Sequence, residues 1–195
     1  MSLDSAIKNF FLKHLPYIDP SWTLFLDLDG VINVETGDYI YKKDEFEFNP
    51  GALDALRHLS EKFGRIIVIT NQRGVGKGWM TLEDLHNIHE YMLDEIKATG
   101  GRIDAIFYST SIEDDHPDRK PNPGMAKRAN DMFPEIDFSK SIVVGDKLGD
   151  MQLGRNIGAI TILIPSLHSE NLDDHSDVDF VFSSLFDFTD ELLGK

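Results

Sequence analysis

Short apolar runs and longer amphipathic stretches alternate along this chain. Leu24-Phe25-Leu26, Ile66-Ile67-Val68-Ile69, Ile142-Val143-Val144 and Ile160-Thr161-Ile162-Leu163-Ile164 are almost continuously apolar, which is how strands buried on both faces of a parallel sheet read. The spacing predicts strands at Thr23–Leu28, Arg65–Thr70, Ile103–Ser109, Ser141–Gly145 and Ala159–Ile164, with a last edge strand at Val178–Phe182. Helical periodicity fills the intervals at Pro50–Lys62, Leu82–Thr99, Pro123–Met132 and Leu148–Ile157, and returns near Leu185–Leu193. Gly64, Gly101 and Gly158 stand where helices would stop. At the N-terminus, Leu3, Ala6, Ile7, Phe10, Phe11 and Leu15 follow helical spacing. Residues 3–15 therefore read as an amphipathic helix ended by Pro16 and Pro20. Residues 1–20 are then an N-terminal helix and linker, and residues 21–195 one main domain. His168–Asp177 reads as a polar surface loop. This alternation of strand and helix is that of an α/β fold: doubly wound and Rossmann-like, a mainly parallel sheet with helices on both faces.

Composition narrows the class. At 195 residues, one domain is expected, against a typical size of ~100–200. A formal net charge of −15 disfavours nonspecific binding to nucleic acid or anionic membranes. Cysteine is absent, so disulfides, thiolate nucleophiles and sulfur-ligated zinc are excluded. No apolar stretch reaches the ~18 residues of a membrane span, and Met1–Ser5 lacks the early positive charge of a signal peptide. A cytoplasmic location, as a monomer or weak homodimer, is the expectation.

In doubly wound sheets ligands bind beyond the carboxyl ends of the strands, so the residues after each apolar run matter most. Those are Asp27-Leu28-Asp29-Gly30, Thr70-Asn71-Gln72, Gly145-Asp146 with Asp150 beyond, and Arg119-Lys120-Pro121 in the loop after the third strand. Asp27 and Asp29, two residues apart, leave the strand on one side, and Gly30 permits the turn that exposes them. Like charges this close require a cation or a shared proton. With Asp146 they make an all-oxygen set suited to Mg²⁺. Thr70 can hydrogen-bond phosphate oxygens, and Lys120 can supply a point charge.

In order and position, Asp27-Leu-Asp29-Gly30, Thr70, Lys120 and Gly145-Asp146-x-x-x-Asp150 resemble the four motifs of the haloacid dehalogenase-like phosphohydrolases. Phe46-Glu-Phe48-x-Pro50-Gly51, Thr70-Asn-Gln72-x-Gly74-Val-x-Lys77-Gly78, Arg119-Lys-Pro121-Asn-Pro123-Gly124-Met125 and Val144-Gly-Asp-Lys147-x-x-Asp150-Met151 are similar to the D-glycero-D-manno-heptose 1,7-bisphosphate phosphatase and histidinol-phosphatase branch. The resemblance covers about residues 22–165. It implies a Mg²⁺-dependent phosphomonoesterase acting through an aspartyl-phosphate on a small phosphorylated metabolite, a sugar phosphate such as heptose 1,7-bisphosphate. Asp27 would be the nucleophile and Asp29 the general acid and base. Thr70 and Lys120 would hold the phosphoryl group. Mg²⁺ would be bound by Asp27, the Asp29 backbone carbonyl and Asp146, with Asp150 orienting Lys120 or a metal-bound water. Asn71, Arg73, Lys77, Arg119 and Lys147 are the substrate-binding candidates. No cap domain fits between the motifs, so the loops Asn33–Asn49, Gln72–Thr81 and Thr110–Arg119 would set specificity.

One departure stands out. The branch carries a Cys/His zinc loop before its Arg-Lys-Pro motif, and here Ser109–Asp118 offers a single His, His116. No structural zinc is expected.

Competing readings are weighed on the same residues. A calcium loop at Asp27 would follow a helix and end in Glu, but an apolar strand precedes it and position 12 is Asp38. Gly74-Val-Gly76-Lys77-Gly78 is no Walker loop, since position 71 is Asn, and no dinucleotide fingerprint, since position 79 is Trp. A receiver-type domain would need an acceptor Asp on a later strand, where Tyr108-Ser109-Thr110 offers none. A catalytically silent binding protein on the same fold, a histidinol-phosphate or generalist phosphatase, and a nucleic-acid 3′-phosphatase complete the alternatives. The −15 charge counts against the last. His86 and His89 read as surface or partly buried residues, and Phe46 and Phe48 as loop packing.

Overall fold

The computed structural model describes residues 17–167, 169 and 176–194, so the helix expected at 3–15 and most of the 168–177 loop lie outside the described residues. Strands β1 (Thr23–Leu26), β2 (Arg65–Asn71), β3 (Ala105–Ser109), β4 (Ser141–Gly145), β5 (Ile160–Leu163) and β6 (Phe180–Val181) form one sheet in the order β3-β2-β1-β4-β5-β6. All five pairings are parallel. The order reverses between β1 and β4, which opens a crevice at their carboxyl ends.

The continuously apolar runs divide by parity between two cores. Leu24, Leu26, Ile66, Val68, Ile142 and Val144 face one side, covered by α1 (Ala52–Lys62), α3 (Leu82–Ala98) and α6 (Leu185–Leu192). Phe25, Ile67, Ile69 and Val143 face the other, covered by α4 (Gly124–Met132) and α5 (Leu148–Ile157). This two-sided burial is why the strands lack the polar alternation of a half-exposed sheet. The remaining helix, α2 (Arg73–Gly76), is a single turn directly after β2 that periodicity did not reveal. Single 3-10 turns lie at Lys43–Glu45 and Phe138–Lys140.

Strand ends differ from expectation where side chains capture the backbone. β1 stops at Leu26 rather than Leu28 because Leu28 N–H turns onto Asp27 Oδ1 (2.7 Å) and Ile32 N–H onto Leu28 O (2.9 Å). Gly30, at φ +83°, makes that turn. β3 starts at Ala105 rather than Ile103, since the Asp104 carboxylate accepts from Ile66 N–H (2.7 Å) and pairs with Arg65 (3.2 Å). The last strand contracts to Phe180–Val181. No cap domain interrupts the chain between β1 and β2 or between β2 and β3; the first interval holds loops and α1, the second α2 and α3.

Candidate active site

The crevice gathers residues from four strand ends. Asp27 follows β1, and its N–H donates to Val144 O of β4 (2.9 Å), so the backbone places it beside the neighbouring strand. Lys120 Nζ lies 2.7 Å from Asp27 Oδ1 and 2.6 Å from Asp150 Oδ1. Asp27, Lys120, Asp146 and Asp150 are all buried. Burial disfavours the lysine's charge, but Asp150 and Asp27 outweigh it and hold the Lys120 pKa above its ordinary value. Asp150 is raised to about 6 by burial and the Asp27 charge, against the opposing pull of Lys120. Asp146 is raised to about 8, by burial first and then by Asp27 and Asp150. Lys120 supplies one positive charge against the carboxylates of Asp27, Asp146 and Asp150, so the cluster stays short of positive charge.

Asp29 stands at the edge of this cluster, on the wall of a cavity of about 480 Å³. Its carboxylate accepts from Asn33 Nδ2 (3.0 Å) and Gln72 Nε2 (3.2 Å). Burial raises its pKa and the Asp27 charge adds to this, while both amide donors pull the other way. A carboxyl biased toward its protonated form beside an ionic cluster can act as a general acid. Gln72 Nε2 also donates to Thr70 Oγ1 (3.1 Å), which joins the ends of β1 and β2.

Asp27, Asp146 and Asp150 each bring a carboxylate oxygen within 4.8 Å of the others. Asp146 Oδ1 is buried without a hydrogen-bond partner. A hard, all-oxygen donor set with an orphaned carboxylate oxygen fits a divalent cation. Both Asp150 oxygens are engaged, Oδ1 by Lys120 and Oδ2 by Lys147 N–H (3.1 Å), so Asp150 is better placed to hold the lysine than to ligate. Asp146 is fixed from behind: Ser166 Oγ, beyond β5, is 2.7 Å from Asp146 Oδ2 and 2.6 Å from Glu35 Oε2.

The substrate-binding candidates separate. Arg73, Arg119, Asn71 and Lys147 line the cavity. Asn71 uses its amide on Lys120, accepting from Lys120 N–H (3.1 Å) and donating to Lys120 O (3.3 Å), and so holds the lysine's backbone. Lys147 Nζ pairs with Glu35 Oε1 at 2.5 Å. Lys77 departs from expectation: it is not in the cavity wall, and its ammonium sits 4.1 Å from the Trp79 ring centroid. Gln72, Asn33, Glu35, Ser166 and Asn49 were not assigned roles from the sequence. Asn49 Nδ2 donates to Gly30, Val31 and Asn33 carbonyls at 3.0–3.1 Å, which shapes the turn carrying Asp29. The one available signal was spacing, since Asn33 lies four residues after Asp29.

Residues 23–189 match the model of the polynucleotide kinase 3 phosphatase family. The chain belongs to this family of haloacid dehalogenase-like phosphatases. It is 36% identical over 169 residues to the D-glycero-alpha-D-manno-heptose-1,7-bisphosphate 7-phosphatase of Mycobacterium tuberculosis, covering 86% of this chain and 89% of that one. The D-glycero-beta-D-manno-heptose-1,7-bisphosphate 7-phosphatase of Yersinia pestis is 34% identical over 186 residues, covering 88% of this chain and 95% of that one. Among solved structures, a D,D-heptose 1,7-bisphosphate phosphatase from B. bronchiseptica, complexed with magnesium and phosphate, superposes on this phosphatase with a TM-score of 0.80. That pair is 27% identical, covering 89% of this chain and 98% of the other. Nearly the full length of each relative is therefore matched. Among the described residues, no helix of the phosphatase is long and apolar enough to cross a membrane.

Proposed function

We propose that this phosphatase removes the 7-phosphate of a D-glycero-D-manno-heptose 1,7-bisphosphate through an aspartyl-phosphate intermediate. The observation that carries the reading is continuity: the buried Asp27–Lys120–Asp150 cluster adjoins a cavity of about 480 Å³ whose wall includes Asp29, Arg73 and Arg119. One phosphate can sit at the cluster while a second anionic group meets the arginines. The names of the relatives point to the same substrate class.

Leu28 N–H and Lys120 hold Asp27 Oδ1, leaving Oδ2 to attack phosphorus. The bond from phosphorus to the sugar oxygen breaks, and Asp29 gives its proton to that oxygen. Asp29, now a carboxylate, takes a proton from water as the water oxygen attacks the aspartyl-phosphate. The phosphorus bond to Asp27 then breaks and inorganic phosphate leaves. Lys120 and Thr70 hold the transferring oxygens throughout, and Asp150 keeps Lys120 charged. Asp27 and Asp146, with the Asp29 backbone carbonyl, would hold Mg²⁺, which would neutralise part of the phosphate charge.

Purified protein assayed for Mg²⁺-dependent phosphate release tests this reading against the α and β heptose 1,7-bisphosphates, histidinol phosphate, hexose phosphates and a 3′-phosphorylated oligonucleotide. The expected result is a kcat/KM for one heptose anomer above every other compound. Equal, slow turnover of all of them would replace the reading with a generalist phosphatase. Preference for the oligonucleotide would contradict the charge argument.

A further inference from the structure

The loop between β3 and α4 contains a carboxylate that contacts both cavity arginines. Asp114 Oδ1 accepts from Arg119 Nε (3.1 Å) and from Arg73 Nη2, and the same Arg73 nitrogen also donates to Ile112 O (3.2 Å). Arg73 begins α2, after the second strand, and Arg119 immediately precedes Lys120. One exposed side chain therefore ties two separate segments of the cavity wall.

An exposed ion pair is by default worth little. Two further observations argue for more here. The Arg119 side chain is only 13% exposed although Asp114 is 84% exposed, so the guanidinium is fixed while its partner reaches in from solvent. Arg73 Nε and Arg119 Nη1 are both buried with no hydrogen-bond partner. Both arginines line the cavity, so an anion that binds there and closes over them can supply the acceptor these donors lack. Two guanidiniums and one carboxylate leave a single net positive charge, which attracts a phosphate group of about −1.5 to −2.

We infer that Asp114 is a positioning residue: it holds Arg73 and Arg119 together as a two-armed clamp for the anionic group of the substrate farthest from Asp27. The inference rests on the bisphosphate reading above and identifies that group as the 1-phosphate. Without Asp114 the two cations repel each other, and each flexible side chain regains rotamers that binding must then remove. Removing a carboxylate also raises the local positive charge, which would favour an anion. The geometric effect wins because the guanidiniums bind through directional N–H groups and Arg119 is largely buried, whereas the charge of the exposed Asp114 is screened by water and salt. The remaining loop contacts hold without it: Asn122 Nδ2 donates to His116 O (3.0 Å), and His116 Nδ1 accepts from Asp118 N–H (3.1 Å).

The test is steady-state kinetics of wild type, Asp114→Asn and Asp114→Ala with heptose 1,7-bisphosphate and with heptose 7-phosphate, which lacks the distal group. Asp114→Ala is expected to raise KM for the bisphosphate about tenfold with kcat within about twofold, and to leave both constants for the monophosphate within about twofold. Asp114→Asn, which keeps an acceptor oxygen, should fall between. A lower KM for the bisphosphate, no change, or equal losses on both substrates would overturn the clamp while leaving the substrate reading intact. Wild-type enzyme inert toward the bisphosphate would overturn both. Thermal unfolding midpoints within about two degrees of wild type would separate the effect from a general loss of structure.

Discussion

Lys120 and Asp150 form an ion pair at 2.6 Å in which each side chain is 3% exposed, with Asp27 held by the same ammonium at 2.7 Å. A lysine taken this far out of water keeps its charge only because two carboxylates face it. The ionisation of Asp150 depends on it in turn. The first prediction follows directly. Lys120→Met leaves two like charges buried without a counter-ion and should cost about 3–5 kcal/mol of stability at pH 7 in the absence of divalent cation. In wild type, Asp150 sits near 6, above its unfolded value, so its ionised form disfavours the fold as pH rises; removing Lys120 deepens that penalty. The deficit of the variant should therefore shrink as pH falls from 7 to 5. Urea unfolding at both pH values measures it, and a deficit below about 1 kcal/mol at pH 7 would show that the pair is not needed to balance the site.

Gly30 gives the second. It sits at φ +83°, and a Cβ there would lie 2.5 Å from Asp146 Oδ2. Gly30→Ala must strain the turn and push the Asp146 carboxylate aside. A loss of roughly 1–3 kcal/mol in stability is expected from the backbone strain, with weaker divalent-cation binding by calorimetry. Unchanged cation affinity would mean that Asp146 is free to move, contrary to its clasp by Ser166.

The third concerns His89, which is buried on α3 with Nε2 unpartnered. Burial, assisted by nearby His86, lowers its pKa from 6.5 to about 4. Between those values the unfolded chain binds the proton more readily than the folded one, so stability falls as pH drops from about 6.5 toward 4. The contribution is on the order of 3 kcal/mol at the acid end. His89→Gln should flatten that part of the stability curve relative to wild type. Parallel curves for the two proteins would assign the acid sensitivity elsewhere.

Much of this was legible in the sequence for a physical reason. Strands such as Ile66–Ile69 are buried on both faces, and that shows as an unbroken apolar run. Asp27, Asp29, Asp146 and Lys120 sit where runs end or in the connecting loop, which is where the topology concentrates chemistry. What was not legible depends on loop shape. Glu35 and Ser166 are 131 residues apart and meet only because their loops converge on Asp146. Asp114 looked like one acid in an acidic loop until its contact with two arginines was visible. Lys77, a substrate-binding candidate by the resemblance, lies outside the cavity wall because the turn of α2 brings its ammonium 4.1 Å from the Trp79 ring centroid.

Everything in the proposed reaction turns on Asp27 acting as the nucleophile toward phosphorus. Phosphate release from heptose 1,7-bisphosphate by wild type and Asp27→Asn, both with Mg²⁺ and with matched thermal unfolding profiles, tests it most directly. A drop in kcat of at least about a thousandfold, with the fold retained, is the predicted result. Undiminished turnover by the variant would contradict it.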